Sequence, residues 1–218
     1  MIFQDRRDAG RELARAVAEL HDLGDAVVLG LPRGGVPVAY EVARSLNLPL
    51  DIFIVRKLGV PGQEELAMGA IASGGTVVIN QSIIRDLKIS PETIEAIAQR
   101  ERLEIERREK AYRDGRPPIP LEGRTAIVVD DGLATGATML AAARALRPRV
   151  QRVIAAVPVA SEITCKELSG EVNQIICAAT PQPFFAVGMF YRDFAQTTDE
   201  EVRTLLSQSR NPQGSQVA

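Results

Sequence analysis

The chain has 218 residues, 45% hydrophobic and 25% charged, with a net charge of −2, which is the size of one largish domain able to bury about 70% of the surface its unfolded form exposes. Without a basic excess, double-stranded nucleic acid is set aside as a partner, and no run approaches the roughly 18 apolar residues of a membrane span. One histidine and two cysteines, in no metal-like spacing, argue against Ser-His-Asp, Cys-His and zinc-hydrolase chemistry together.

The N-terminus, Met1-Ile2-Phe3-Gln4-Asp5-Arg6-Arg7-Asp8, is charged from the start and lacks a secretory apolar region, so a cytoplasmic protein is expected. Leu13, Ala14, Val17, Ala18 and Leu20 have the spacing of an amphipathic helix over 8–23, stopped by Gly24. His21 falls at its end, where dipole contact or solvation is the expected role. A strand over 26–29 leads into Gly30-Leu31-Pro32-Arg33-Gly34-Gly35-Val36-Pro37. Its glycines suit tight geometry and its N–H groups an anion-binding nest; a plain βα connection with a solvated arginine would use the same residues. The turn ends the first strand of a βαβ unit, and open α/β sheets bind ligands at the carboxyl ends of their strands.

A helix over 36–46 and a strand over 50–55 follow, with Arg56-Lys57 at the strand's carboxyl end. Residues 58–75 carry Gly59, Pro61, Gly62, Gly69, Gly74 and Gly75, a density that predicts a flexible loop of the kind that serves as a lid. Glu64 and Glu65 within it are loop charges, or groups that act on an acceptor after closure. The β-branched run 76–80 predicts an edge strand. Ser90-Pro91-Glu92 starts a helix that runs to about Arg113, laced at i, i+4 by Glu104 with Arg108, Glu106 with Lys110 and Glu109 with Arg113.

The central stretch changes character three times. Ala126-Ile127-Val128-Val129 reads as a buried parallel strand. Asp130 and Asp131 end it, a loop of small and hydroxyl residues follows, and a helix runs over 139–146. A helix beginning near Gly136 to Thr138 leaves N–H groups unpaired at the positive end of its dipole, which suits a phosphate, while the carboxylates suit sugar hydroxyls or a divalent cation held through water. Thr-Gly-x-Thr alone could be only a capped turn; the acidic pair before it favours the ligand. No Gly-Lys-Ser/Thr is present, so it is not a Walker A loop.

Beyond it, a strand over 152–159, a short helix over 161–168 and a strand over 174–178 complete an alternation that predicts one parallel α/β sheet. Cys165 and Cys177 fit buried apolar positions better than a bridge or a nucleophile. Residues 180–197 concentrate aromatic side chains, as a wall for a flat acceptor or as a cover over the sheet edge. Residues 209–218 read as a disordered tail after a domain spanning 1–208.

The stretch from Asp130 to Thr138 resembles the phosphoribosyl pyrophosphate (PRPP) loop of the type I phosphoribosyltransferases, and its wording is similar to the adenine members. Arg33-Gly34-Gly35, Arg56-Lys57 and the aromatic segment occur in family order around it. The resemblance implies a three-layer α/β/α fold, its mainly parallel sheet carrying one antiparallel edge strand, with a lid near 58–75 and a small C-terminal hood at 180–197. It implies that Asp130 and Asp131 take the ribose hydroxyls, that Ala134, Thr135, Gly136, Ala137 and Thr138 wrap the 5′-phosphate, and that Arg33, Gly34, Gly35, Arg56 and Lys57 meet the pyrophosphate. Asp193 is the matching acidic residue of the hood. The implied chemistry is transfer of a 5-phosphoribosyl group to a nitrogenous base, with Asp130, Asp131 and Lys57 as the catalytic set. Mg²⁺ enters on PRPP, with Asp131 or Asp193 reaching it through water. PRPP and a base are the expected partners, without nucleic acid or membrane, and a homodimer is compatible.

Two departures stand out. Hypoxanthine-guanine members place an aspartate, as general base, where this chain has Ala134; adenine members also have alanine there. Ala137 replaces a lysine of some members. Two other readings remain: a PRPP-binding regulator without turnover, and a phosphate-sugar hydrolase or nucleotide-binding module of similar architecture.

Overall fold

The structure is a computed structural model that describes residues 2–210. Its centre is a five-stranded, wholly parallel sheet made of β1 (Ala26–Gly30), β2 (Leu50–Ile52), β6 (Thr125–Val129), β7 (Arg152–Val159) and β8 (Gln174–Ala179), in the order β2-β1-β6-β7-β8. Every residue of β1 and β6 is buried, as expected of strands with helices on both faces. Side chains alternate between two cores: Ile127 and Val129 join one, Ala126 and Val128 the other. The first core is closed by α1 (Arg6–Ala18), α2 (Gly35–Leu46), α4 (Pro91–Arg113) and α7 (Asp199–Arg210); the second by α5 (Ala137–Leu146) and α6 (Glu162–Leu168).

Strand order reverses between β1, whose chain moves outward to β2, and β6, whose chain moves outward to β7. Parallel pairing sets Leu29 beside Val128 and Gly30 beside Val129, so the loops after the two strands begin level. This is the crevice in which an open α/β sheet binds its ligand.

The stretch 58–75 is not a loop. β3 (Val55–Val60) and β4 (Gln63–Ala72) form an antiparallel hairpin that turns at Pro61-Gly62, and β5 (Val77–Ile79) pairs with β4. Together they make a separate three-stranded sheet, so the antiparallel strand expected on the main sheet lies here instead. Gly69 permits close strand approach rather than mobility: a β-carbon there would strike the carbonyl oxygen of Val78. The strand expected over 50–55 divides into β2 and the start of β3.

The first helix starts earlier than its pattern suggested, because the Asp5 carboxylate caps it by accepting from the Asp8 N–H at 2.8 Å, and it ends sooner, at Ala18. The cap at Ser90 and the Glu104–Arg108 and Glu109–Arg113 pairs form as expected. Two helices were not anticipated, α3 (Gln81–Asp86) and α7. Val202, Leu205 and Leu206 bury one face of α7; Ser209 and Arg210 belong to this helix, and the rest of the expected tail lies outside the described residues. Cys165 of α6 is bridged to Cys177 of β8, where separate apolar positions were expected.

A buried ion pair fixes the end of α4 to the sheet. Arg113 Nε donates to Asp51 Oδ1 at 2.8 Å and its Nη2 to the Ile52 carbonyl at 3.1 Å, while the Ile119 N–H donates to Asp51 Oδ2 at 2.9 Å. Removing one member of such a pair leaves a desolvated charge behind. Arg113→Met is therefore expected to lower unfolding free energy by about 3 kcal/mol or more in urea titration; a loss below about 1 kcal/mol would show that this pair is not what anchors α4.

Candidate functional site

The site grows from the end of β6. Asp130 Oδ1 accepts from the Asp131 N–H at 2.9 Å, turning the chain so that both carboxylates sit beside the loop after β1. That loop comes very close. A β-carbon on Gly35 would lie 2.6 Å from the Val129 carbonyl oxygen and 2.8 Å from the Asp130 Cα. One on Gly34 would collide with the Asp131 carboxylate. Gly34 has φ −60°, so lack of room, not backbone conformation, excludes a side chain there. The Pro32–Arg33 peptide is cis.

Burial pushes the Asp130 carboxyl well above the ordinary aspartate value of 3.8, and the neighbouring Asp131 charge adds to the effect. Asp131 is also raised by burial, against the opposing hydrogen bond and charge of Arg6. Arg6 Nε donates to Asp131 Oδ2 at 2.9 Å. Sequence reasoning missed this partner. One signal was available: Arg6 and Arg7 stand in the first turn of α1, where the helix dipole disfavours a cation, so a tertiary partner could have been sought.

Beyond the acids, Gly136 has φ 70° and precedes α5, a left-handed conformation that suits glycine. Helix α6 supports this turn from behind. Ser161 caps α6 by accepting from the Thr164 N–H at 3.0 Å, and Thr164 Oγ1 donates to the Ala134 carbonyl at 2.8 Å. Ala134, Thr135, Ala137 and Thr138 remain exposed. With Asp130, Gly132 and Gly136 they line a cavity of about 200 Å³, to which the hood contributes Val187. The start of a ten-residue helix, with hydroxyls on its rim and the Asp130 carboxyl in its lining, forms a cup whose unpaired N–H groups suit an anion.

The expected cations separate. Lys57 lines a second cavity of about 650 Å³, shared with Ala137 and Thr138, between α5 and the antiparallel sheet. Its Nζ lies 3.1 Å from Glu65 Oε2, a fully exposed carboxylate. Arg56 turns away to α4, where its Nε and Nη2 lie 2.8 and 2.7 Å from Glu101 Oε2. Arg33 leans toward the start of α7, its Nη1 3.7 Å from Asp199 Oδ1. Asp199 also accepts from the Tyr112 hydroxyl at 2.8 Å; burial first, and this bond second, push Tyr112 up to about 12.

The hood is an aromatic cluster. Phe184 stacks on Phe190 at 5.2 Å, and Tyr191 lies 5.5 Å from Phe3 and 4.9 Å from Phe194. The Tyr191 hydroxyl donates to the Asp131 carbonyl at 2.5 Å, and burial raises its pKa. Asp193 accepts from the Ala195 N–H at 2.9 Å and lines a separate cavity of about 200 Å³ with Asp5, Arg6 and Arg7. Neither Asp130 nor Asp131 lines that cavity. Among the described residues, no group of three or more His, Cys, Asp or Glu side chains could hold a metal ion, and no helix is long and apolar enough to cross a membrane.

Residues 3–189 match the phosphoribosyl transferase domain family. Two Mycobacterium tuberculosis proteins, from strains CDC 1551 / Oshkosh and H37Rv and each named "Putative phosphoribosyl transferase", are 47% identical over 209 residues. The match covers 95% of this chain and 47% of theirs, so the chain spans about half the length of these curated relatives. Among solved structures, the protein TT1426 from Thermus thermophilus superposes with a TM-score of 0.84 and 44% identity, over 94% of this chain and 98% of that one. A hypothetical protein from Neisseria gonorrhoeae, solved with bound ppGpp, is similar in fold alone, with a TM-score of 0.50 and 14% identity over 96% and 97% of the two chains.

Two expectations follow from this geometry. Asp130 binds its proton more tightly folded than unfolded, so between the ordinary value of 3.8 and its raised folded value the native state holds more protons, and stability falls as pH rises through that window. Asp130→Asn should therefore raise the melting temperature at pH 7, with the gain shrinking as pH approaches 4; a gain independent of pH would contradict the assignment. Gly34→Ala must displace the Asp131 carboxylate, at the roughly 1–3 kcal/mol of an overpacked contact. Thermal unfolding should show that modest loss, and a crystal structure of the variant should show Asp131 moved.

Proposed function

The chain belongs to the phosphoribosyl transferase family, and from that premise we propose that it moves a 5-phosphoribosyl group from Mg²⁺-bound PRPP to a nitrogenous base, releasing pyrophosphate. The observation that carries this reading is the meeting of Gly34 and Gly35 with Asp130 and Asp131 beside the cup at the start of α5. A ligand crossing these three features needs a phosphate at one end, hydroxyls in its middle and a second anion beyond, and PRPP has that order of groups.

In this reading Ala134 to Thr138 hold the 5′-phosphate through backbone N–H groups and the hydroxyls of Thr135 and Thr138. Asp130 and Asp131 accept from the ribose hydroxyls. As the bond to pyrophosphate breaks, positive charge develops at the anomeric carbon, and a buried carboxylate pair stabilises that charge more than it stabilises the neutral sugar. The pyrophosphate leaves toward the Arg33-Gly34-Gly35 turn. Arg33 supplies charge there; Lys57, which lines a cavity with Thr138 at the other end of the proposed ligand and whose partner Glu65 is exposed, would have to reach past the sugar to join it. Arg56 would have to leave Glu101 to join them.

The side chains present suit a cation carried in by the ligand better than one held by the protein alone. The Asp131 oxygen not bonded to Arg6 is free to reach it through water, and Asp193, engaged by the Ala195 N–H, is the second candidate. Mg²⁺ would supply neutralisation of the departing pyrophosphate. Water must be kept from the developing sugar cation; the tip of the β3–β4 hairpin, exposed from Pro61 to Leu66, is the proposed lid. The hood residues beside Val187 are the proposed wall for the base, whose identity Ala134 leaves open between acceptors that need no aspartate at that position.

The test is Mg²⁺-dependent pyrophosphate release measured over a panel of purine and pyrimidine bases. Wild-type protein should release pyrophosphate with at least one base, and Asp131→Asn should lower the rate by about a hundredfold, as losing one group aimed at developing charge typically does. Equal rates would remove the role of that carboxylate. PRPP binding without release across the panel would identify a regulator instead.

A further inference from the structure

Arg6 touches three things at once. Its Nε donates to Asp131 Oδ2 at 2.9 Å, its Nη1 donates to the Ala195 carbonyl at 2.6 Å, and its guanidinium lies 4.0 Å from the centroid of the Phe194 ring. The residue belongs to the first turn of α1, whereas Phe194 and Ala195 belong to the hood and Asp131 to the loop after β6. The side chain is 12% exposed, so its charge is largely removed from water and these partners are what it has in exchange. A second bond ties the same places together, since the Tyr191 hydroxyl donates to the Asp131 carbonyl. Gly34 packs against the same oxygen: a β-carbon there would fall on Asp131 Oδ2 and lie 3.2 Å from Arg6 Nε, so the backbone of the β1 loop leaves this pair no room to shift toward it.

We propose that Arg6 is a positioning residue: it aims the Asp131 carboxylate, leaving one oxygen for the ligand, and latches the hood segment 191–195 to the acid pair so that sugar site and base wall move as one. The fork shape of guanidinium is what the arrangement needs. Nε serves the carboxylate, Nη1 the carbonyl, and the flat face the ring, a combination that an ammonium on a flexible stem cannot make at once. The part of this role that concerns sugar and base rests on the phosphoribosyl transfer reading; the latch between α1 and hood does not.

The experiment compares wild type with Arg6→Lys and Arg6→Met in two measurements. The first is amide hydrogen exchange of the ligand-free protein. Both variants should lose about tenfold protection in 191–195, with α5 and β7 unchanged, because local opening follows loss of local contacts. The second is calorimetric binding of Mg²⁺-PRPP together with steady-state turnover. Arg6→Lys retains the charge, so its PRPP dissociation constant should rise only a fewfold, while kcat should fall by about a hundredfold, the scale of a misaligned group. Arg6→Met should lose both.

Unchanged protection of 191–195 in both variants would overturn the latch whatever PRPP does. Lost protection with kcat unchanged in Arg6→Lys would overturn the aiming of Asp131. Wild type that fails to bind PRPP would instead sink the transfer reading, and the exchange result would still decide the latch. If Arg6→Met does not fold, Arg6→Lys alone carries the comparison.

Discussion

The site depends on one steric constraint, the approach of the Gly34-Gly35 backbone to the Asp130-Asp131 carboxylates. It arises because β1 and β6 are parallel neighbours whose last residues pair in register, so the chain leaves both strands at one level. No side chain fits between them. A ligand lying over this point is met from one side by a turn able to bind an anion and from the other by acids able to bind hydroxyls. Two apolar cores beneath, one on each face of the sheet, keep the arrangement from relaxing.

Holding two adjacent acids out of water works against folding, and the compensation comes from both ends of the chain. Arg6 lies near the beginning, Tyr191 and Phe194 near the end, and they meet over the loop that follows β6. Phe3 is drawn in with them, its N–H donating to the Phe190 carbonyl at 2.8 Å while its carbonyl accepts from Arg192 at 2.9 Å. The geometry of Asp131 is therefore a property of the folded domain, not of the local turn. The anion cup differs. It is built locally from Gly136 and the start of α5, and steadied by one neighbouring helix through Thr164.

The parallel strands were legible in the sequence because full burial demands unbroken apolar runs, as in 126–129, and because glycines and aspartates stop them. The cup was legible for a related reason: strand, acids, small residues and helix follow one another with nothing between. The hairpin was not. Gly59, Gly62 and Gly69 suggested a loop, yet Gly69 serves close strand packing, and only Gly62, with φ 75°, makes the turn. Helix α7 carried a signal that went unused, since Val202, Leu205 and Leu206 have helical spacing. The separation of Arg56 from Lys57 follows from strand alternation, which turns neighbouring side chains to opposite faces. Arg6 with Asp131, and Cys165 with Cys177, are tertiary pairs that linear spacing does not encode.

The central claim is that one ligand spans the cup, the acid pair and the glycine turn. A crystal structure of the protein with Mg²⁺ and PRPP tests it most directly. The account predicts the 5′-phosphate against the N–H groups at Ala137 and Thr138, the ribose hydroxyls within hydrogen-bonding distance of Asp130 and Asp131, and the pyrophosphate beside Gly34 and Gly35. Density for the sugar away from the acid pair, or for the phosphate outside the turn before α5, would contradict it.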